Sequence, residues 1–151
     1  MPDLASNQVE YHPLLGQGRL LVMAREHGMF LTAYSPIARN RIAGERILQE
    51  IAATRGASVA QVALAWLLAQ ERVVVIPKAS TRDHLEENRA SLELDLSAAE
   101  LAAIDLLPKD RRMVDPGFVD FEERSSSIAD APRRLARGAL HAARRLLRKG
   151  E

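Results

Sequence analysis

A chain of 151 residues, 47% of them hydrophobic and 27% charged, is long enough to bury a core and is not typical of a disordered protein. The absence of cysteine excludes a disulfide framework, a thiolate metal site and a cysteine nucleophile. The first residues lack the pattern of a secretion leader, and no run reaches the roughly 18 apolar residues of a membrane span. We therefore expect a cytoplasmic protein.

The net charge of +1 conceals an uneven distribution along the chain. Residues 132–151 hold seven basic residues and one acidic residue, out of totals of 21 and 20, so the remainder carries a net charge of −5. An acidic body followed by a basic tail predicts a boundary near residue 125. We accordingly divide the chain into residues 1–124 and a linker with a tail at 125–151.

The first part of the body is predicted to alternate strands and helices. Its elements are a strand over 7–11, a helix over 16–27, an apolar strand over 29–34 and, after a basic loop, a helix over 45–55. Gly28 and Gly56 follow the two helices, where a left-handed residue commonly ends a helix. The run over 29–34 is too short for a helix and suits a buried parallel strand.

The second part continues the alternation. Ser58 with Gln61, and Ser97 with Glu100, have the spacing of capping boxes and predict two helix starts. The residues over 73–76 are β-branched throughout and predict a central strand, and a helix is predicted over 81–89. Strands that alternate with helices indicate a parallel sheet, but three such strands leave two apolar edges. The pattern therefore indicates part of a larger α/β fold.

Four motifs stand in register along this body. They are Asn-Gln-Val-Glu-Tyr-His-Pro at 7–13, Ala-Tyr-Ser-Pro at 33–36, Ala-Gln-Val-Ala-Leu-Ala-Trp at 60–66, and Val-Ile-Pro-Lys at 75–78 leading into Leu-Glu-Glu-Asn at 85–88. In this order and spacing they resemble the C-terminal half of the aldo-keto reductases, over residues 1 to about 124. Within that family the sequence looks most like bacterial 2,5-diketo-gluconate and methylglyoxal reductases.

The resemblance implies part of an eight-stranded (β/α) TIM barrel, with these strands as the sixth to eighth and the cofactor at their carboxyl ends. It also implies NADPH-dependent reduction of small aldehydes or ketones. The family's catalytic Asp, Tyr, Lys and His lie on earlier strands, so we expect no catalytic residue here. Because hydride transfer to a carbonyl needs a proton donor, the chain alone is predicted to be inactive.

By resemblance, two residues meet the nicotinamide. Gln8 corresponds to the glutamine that holds the carboxamide, and an amide pairs donor and acceptor with that group. Tyr34 corresponds to the aromatic that stacks on the ring. Ser35 and Ile37 follow on the loop that crosses the pyrophosphate. The alternatives are a polar residue at a strand end for Gln8 and a core tyrosine for Tyr34.

Lys78 follows a buried strand and precedes a helix start, where backbone N–H groups favour an anion. In the family this position meets the 2′-phosphate of NADPH, and Ser80 and Arg82 add donors nearby. Ala79 replaces the usual serine and His84 the usual arginine, which is a stronger and pH-independent phosphate partner. We therefore expect the preference for NADPH to be reduced but not reversed.

Further along the same helix, Glu87 and Asn88 match residues that hold the adenine, with a solvated helix face as the alternative. Glu10 and His12, two apart on a strand, face one side. Because no third ligand accompanies them, we expect no metal site and assign them to support of the barrel mouth.

The tail has the pattern of a basic amphipathic helix over 130–148. A charged outer face on a docked helix, a membrane-surface helix and an acidic partner stay open as alternatives, whereas nucleic acid is not expected. Three hypotheses follow for the whole chain: a reductase fragment that needs its N-terminal half, a non-catalytic nucleotide-binding module, or an interaction protein that uses its tail. The exposed sheet edges predict a homo-oligomer or a complementary half, and a small carbonyl substrate only once that half is supplied.

Overall fold

The computed structural model describes residues 4–114. The predicted boundary near residue 125 and the predicted tail helix lie outside the described residues.

The elements alternate as the sequence predicts. In chain order they are β1 (Ser6–Glu10), α1 (Gly18–Glu26), β2 (Phe30–Tyr34), a 3-10 segment (Ala38–Gly44), α2 (Arg46–Arg55), α3 (Val59–Leu68), β3 (Val73–Val75), α4 (Arg82–Ala90), a 3-10 turn (Ser91–Glu93) and α5 (Ala98–Asp105). Both predicted capping boxes are present: the Gln61 N–H donates to Ser58 Oγ at 3.1 Å, and the Glu100 N–H donates to Ser97 Oγ at 3.4 Å.

The three strands of the described chain form one parallel sheet in the order β1-β2-β3. Gln8 pairs with Thr32 and Glu10 with Tyr34, while Thr32 also pairs with Val74. The prediction of a central position for β3 is wrong, because within residues 4–114 this strand pairs only with β2. Val73 and Val75 pack against the core while Val74 stays 44% exposed, so the β-branched composition of this strand does not determine how many strand neighbours it has.

The helices cover one face of the sheet and enclose the core with it. Leu31 and Ala33 of β2 are fully buried there, and all six residues over 62–67 of α3 are buried. On the opposite face, Phe30, Val74 and Ile76 stay 46%, 44% and 44% exposed within the described residues. A parallel sheet normally carries cover on both faces, and within residues 4–114 this face lacks such cover.

No single helix among residues 4–114 is long and apolar enough to cross a membrane. Helices α2 and α3 meet such a requirement only when they are counted together across a 94° bend.

Candidate nucleotide-binding site

The carboxyl ends of the three parallel strands lie at one edge of the sheet, called here the carboxyl edge. β1 ends there at Glu10, β2 at Tyr34 and β3 at Val75, and Lys78 follows three residues later. Gln8 is exposed on the uncovered face of the sheet, two residues before the end of its strand. Ligands of open and barrel-like parallel sheets bind at this edge, because strand ends and helix starts meet there.

The segment after β2 has an unusual backbone. Ser35, Ala38, Arg39 and Asn40 all have positive φ angles, of 49°, 48°, 50° and 67°. Outside glycine such angles cost roughly 1 kcal/mol each and concentrate at ligand sites. The Ala38 N–H donates to the Ser35 carbonyl at 2.8 Å, and Ile37 packs against the core. These two contacts stabilise the strained loop. Sequence reasoning missed this feature because no glycine marks it.

Helix α4 starts beside Lys78 and is well formed at its N-terminus. Thr81 Oγ1 accepts the His84 N–H at 3.2 Å, and Arg82 pairs with Glu86 at 2.8 Å on the surface. Lys78 is exposed, and within residues 4–114 its ammonium has no ion pair. An unpaired cation next to a helix start is suited to an anion.

The structure separates the predicted site residues into two groups. Gln8, Tyr34, Ser35 and Ile37 belong to the ends of β1 and β2, whereas Lys78, Ser80, Arg82, His84, Glu87 and Asn88 lie on or before α4. Positions 84, 87 and 88 share one helix face by their three- and four-residue spacing. The side chains of Glu87 and Asn88 are half-buried; the bonds found at these residues use their backbone carbonyls, which accept from Gln61 Nε2 and Ser91 Oγ.

Glu10 and His12 form a buried pair, with His12 Nε2 at 3.1 Å from Glu10 Oε1. The Leu14 N–H donates to His12 Nδ1 at 3.2 Å, so Nδ1 is the acceptor and Nε2 carries the proton that Glu10 accepts. Burial lowers the pKa of His12, in agreement with this neutral ring. Among residues 4–114 no group of three or more side chains could hold a metal ion.

The fold and its carboxyl edge define an α/β protein with a candidate site for an anionic nucleotide. The chain belongs to the aldo/keto reductase family, whose family model matches residues 1–108. This confirms the family predicted from the four motifs, and the described residues have the barrel-type fold of these enzymes in part.

The relatives include bacterial methylglyoxal and glyoxal reductases. A methylglyoxal reductase of Escherichia coli is 42% identical over 67% of this chain, and a glyoxal reductase of Bacillus subtilis is 38% identical over 71%. The chain spans only 38% of the length of each of these two proteins.

Solved structures agree with this assignment. The crystal structure of a candidate 2,5-diketo-D-gluconic acid reductase B is 41% identical and superposes with a TM-score of 0.72, covering 76% of this chain and 41% of that one. An aldo-keto reductase from Klebsiella pneumoniae, crystallised with NADPH, is 35% identical with a TM-score of 0.64, covering 73% of this chain and 42% of that one.

Proposed function

We propose that this chain supplies the NADPH-binding part of an aldo-keto reductase that reduces small aldehydes or ketones, of the kind represented by methylglyoxal. The observation that carries the proposal is the sheet register. It brings the ends of β1 and β2, with Gln8 and Tyr34, to the same edge from which the chain leaves β3 toward Lys78. Crystallised relatives that hold NADPH or NADP support the choice of cofactor.

The cofactor would lie with its nicotinamide toward Gln8 and Tyr34 and its 2′-phosphate toward Lys78. Ser80 and the first-turn N–H groups of α4 would complete the phosphate site, while Glu87 and Asn88 would face the adenine. When bound, NADPH supplies the hydride. The residues of this chain would contribute binding and orientation, and the segment after β2, with its four positive φ angles, would contact the pyrophosphate.

Proton donation to the carbonyl is proposed to come from outside these 151 residues. The chain has two tyrosines, and Tyr34 is assigned to stacking. Tyr11 is 3% exposed and stands edge-on to Trp66 with ring centroids 5.4 Å apart. Burial raises the pKa of Tyr11, so its hydroxyl is both inaccessible and a poorer acid than free tyrosine. We therefore expect no carbonyl reduction by this polypeptide alone.

Calorimetric titration with NADPH tests the cofactor site. We expect binding by the wild-type chain and a Kd about tenfold higher for Lys78→Ala, because one charge-assisted contact with the 2′-phosphate is lost. NADH lacks that phosphate, so its affinity stays unchanged by the substitution. Arg19→Ala removes an exposed cation from α1 and serves as the matched control. If Lys78→Ala and Arg19→Ala weaken NADPH binding equally, or if NADPH does not bind at all, the proposed function is contradicted.

The uncovered sheet face predicts association with further polypeptide, either a complementary half or a second copy. Phe30, Val74 and Ile76 expose apolar surface there, and burying such side chains gives roughly 25 cal/mol per Å². We expect light scattering to show self-association. We also expect methylglyoxal turnover only after addition of a polypeptide that carries the N-terminal strands of a relative. A monodisperse monomer that is unaffected by this polypeptide would be the contrary result.

A further inference from the structure

Residues 109–114, called here the strap, run back from the end of α5 across the loop that follows β1. The Gly16 N–H donates to the Lys109 carbonyl at 3.1 Å, and the Arg111 N–H donates to the Leu14 carbonyl at 2.9 Å. These two bonds tie the first half of the strap to the loop. Neither bond involves the second half of the strap, Arg112 to Val114.

Glu10 fixes that second half. Its Oε1 accepts the Met113 N–H at 2.7 Å, and its Oε2 accepts the Val114 N–H at 3.1 Å, while Arg112 Nη1 lies 3.7 Å from Oε2. His12 Nε2 also donates to Oε1, at 3.1 Å. The side chain of Glu10 is completely buried, so these groups replace all of its water. Every neighbour donates, which only a carboxylate satisfies at both oxygens.

The position of Glu10 in the sheet suggests a role for its hydrogen bonds to the strap. Glu10 is the last residue of β1 and pairs in register with Tyr34. It projects to the same face as Gln8, two residues earlier on the strand. The carboxylate therefore holds the strap beside the two residues assigned to the nicotinamide. Lys78, which is assigned to the 2′-phosphate, lies beyond β3 at the other end of the carboxyl edge.

We propose that Glu10 is a positioning residue that holds the strap against the nicotinamide end of the cofactor site. This proposal rests on the proposed function. It requires that the strap, once released, disturb the nicotinamide end of the cofactor and leave the phosphate and adenine end unchanged.

The test compares two ligands on Glu10→Gln. NADPH occupies both ends of the site, whereas 2′,5′-ADP carries the 2′-phosphate and adenine but no nicotinamide. The glutamine amide turns an N–H₂ toward a strap donor, so we expect the Kd for NADPH to rise about tenfold. The Kd for 2′,5′-ADP stays unchanged. Hydrogen exchange at the amides of Met113 and Val114 becomes faster, which reports the loosened strap without any ligand.

Glu100→Gln is the matched control, because Glu100 is a buried, hydrogen-bonded carboxylate on α5 that belongs to neither end of the cofactor site. Met113→Pro removes one strap donor without changing β1, and it replaces Glu10→Gln as the test variant if that variant does not fold. If the test variant weakens the binding of NADPH and of 2′,5′-ADP equally, or leaves the NADPH affinity unchanged, the positioning role is overturned. Failure of the wild-type chain to bind NADPH overturns the proposed function and this proposal with it. Binding of NADPH with an equal effect on both ligands overturns the positioning role alone.

Discussion

Replacement of Glu100 by glutamine is expected to lower the free energy of unfolding by about 2 kcal/mol at neutral pH. Glu100 receives two bonds from Arg55, at 2.8 Å from Nε and 2.5 Å from Nη2, and these bind helix α2 to helix α5. The bonds from Arg55, together with those from Ser97, hold the pKa of Glu100 at about 2, below its ordinary 4.5. Glutamine has the same size but accepts the guanidinium at one oxygen only and carries no charge.

The pH dependence follows from the sign of this shift. Because the folded-state pKa is depressed, the stabilisation is complete above pH 4.5 and disappears as the pH falls toward 2. The difference between wild type and Glu100→Gln, measured by urea unfolding at several pH values, should shrink to almost nothing over that range. The capping box survives the change, since Gln61 already fills the same place in the box of α3. Glu93→Gln, at an exposed carboxylate, is the control. A difference that is independent of pH would refute the charge-based explanation.

Replacement of Lys109 by methionine is expected to cost about 3 kcal/mol at pH 7. The ammonium donates to the carbonyls of Pro13 and Ile104 at 2.8 and 2.7 Å and lies 4.5 Å from the centroid of the Trp66 ring. It thereby joins the loop after β1, the end of α5 and helix α3. Methionine has a similar length but donates to neither carbonyl; the Ile104 carbonyl still accepts the Leu107 N–H at 3.1 Å, whereas the Pro13 carbonyl loses its bond to Lys109. Thermal or urea unfolding measures the loss, and Lys78→Met, at an exposed lysine, should show no comparable effect.

The difference in the free energy of unfolding between wild type and Lys109→Met is expected to grow at alkaline pH. Burial lowers the pKa of Lys109 from 10.5 to about 8, while the nearby Asp105 opposes the shift. Between these two pKa values the unfolded chain holds a proton that the folded protein has released, so this group adds stability as the pH rises. The neutral amine still donates to both carbonyls. We expect the difference in the free energy of unfolding between wild type and Lys109→Met to increase from about pH 8 to 9.5. A decrease over this range would show that the charge itself is needed.

Short-range features of the chain were predictable from sequence. The two capping boxes, the helix ends at Gly28 and Gly56, and the alternation of strands and helices all depend on residues a few positions apart. Such features follow from local backbone chemistry and from the period of apolar residues. The family was also within reach, because its motifs are short and keep their order along the chain.

Contacts between distant parts of the chain were not predictable in this way. Arg55 and Glu100 are 45 positions apart, and Glu10 and Val114 are 104 positions apart, so no spacing rule brings these groups together. The edge position of β3 likewise depends on which strands meet, and its own β-branched side chains carry no information about that. The positive φ angles of Ser35, Ala38, Arg39 and Asn40 run against the conformational preferences of those residues, so no local sequence rule predicts them.

The sequence by itself thus determined the elements and their order, because helix caps and strand patterns are local. Only the tertiary structure decided which buried charges are satisfied and how the strap meets β1. Burying a charge costs free energy unless hydrogen-bond partners from elsewhere in the chain surround it. Whether those partners arrive depends on the complete fold: donors reach the carboxylate of Glu10, and carbonyl acceptors reach the ammonium of Lys109.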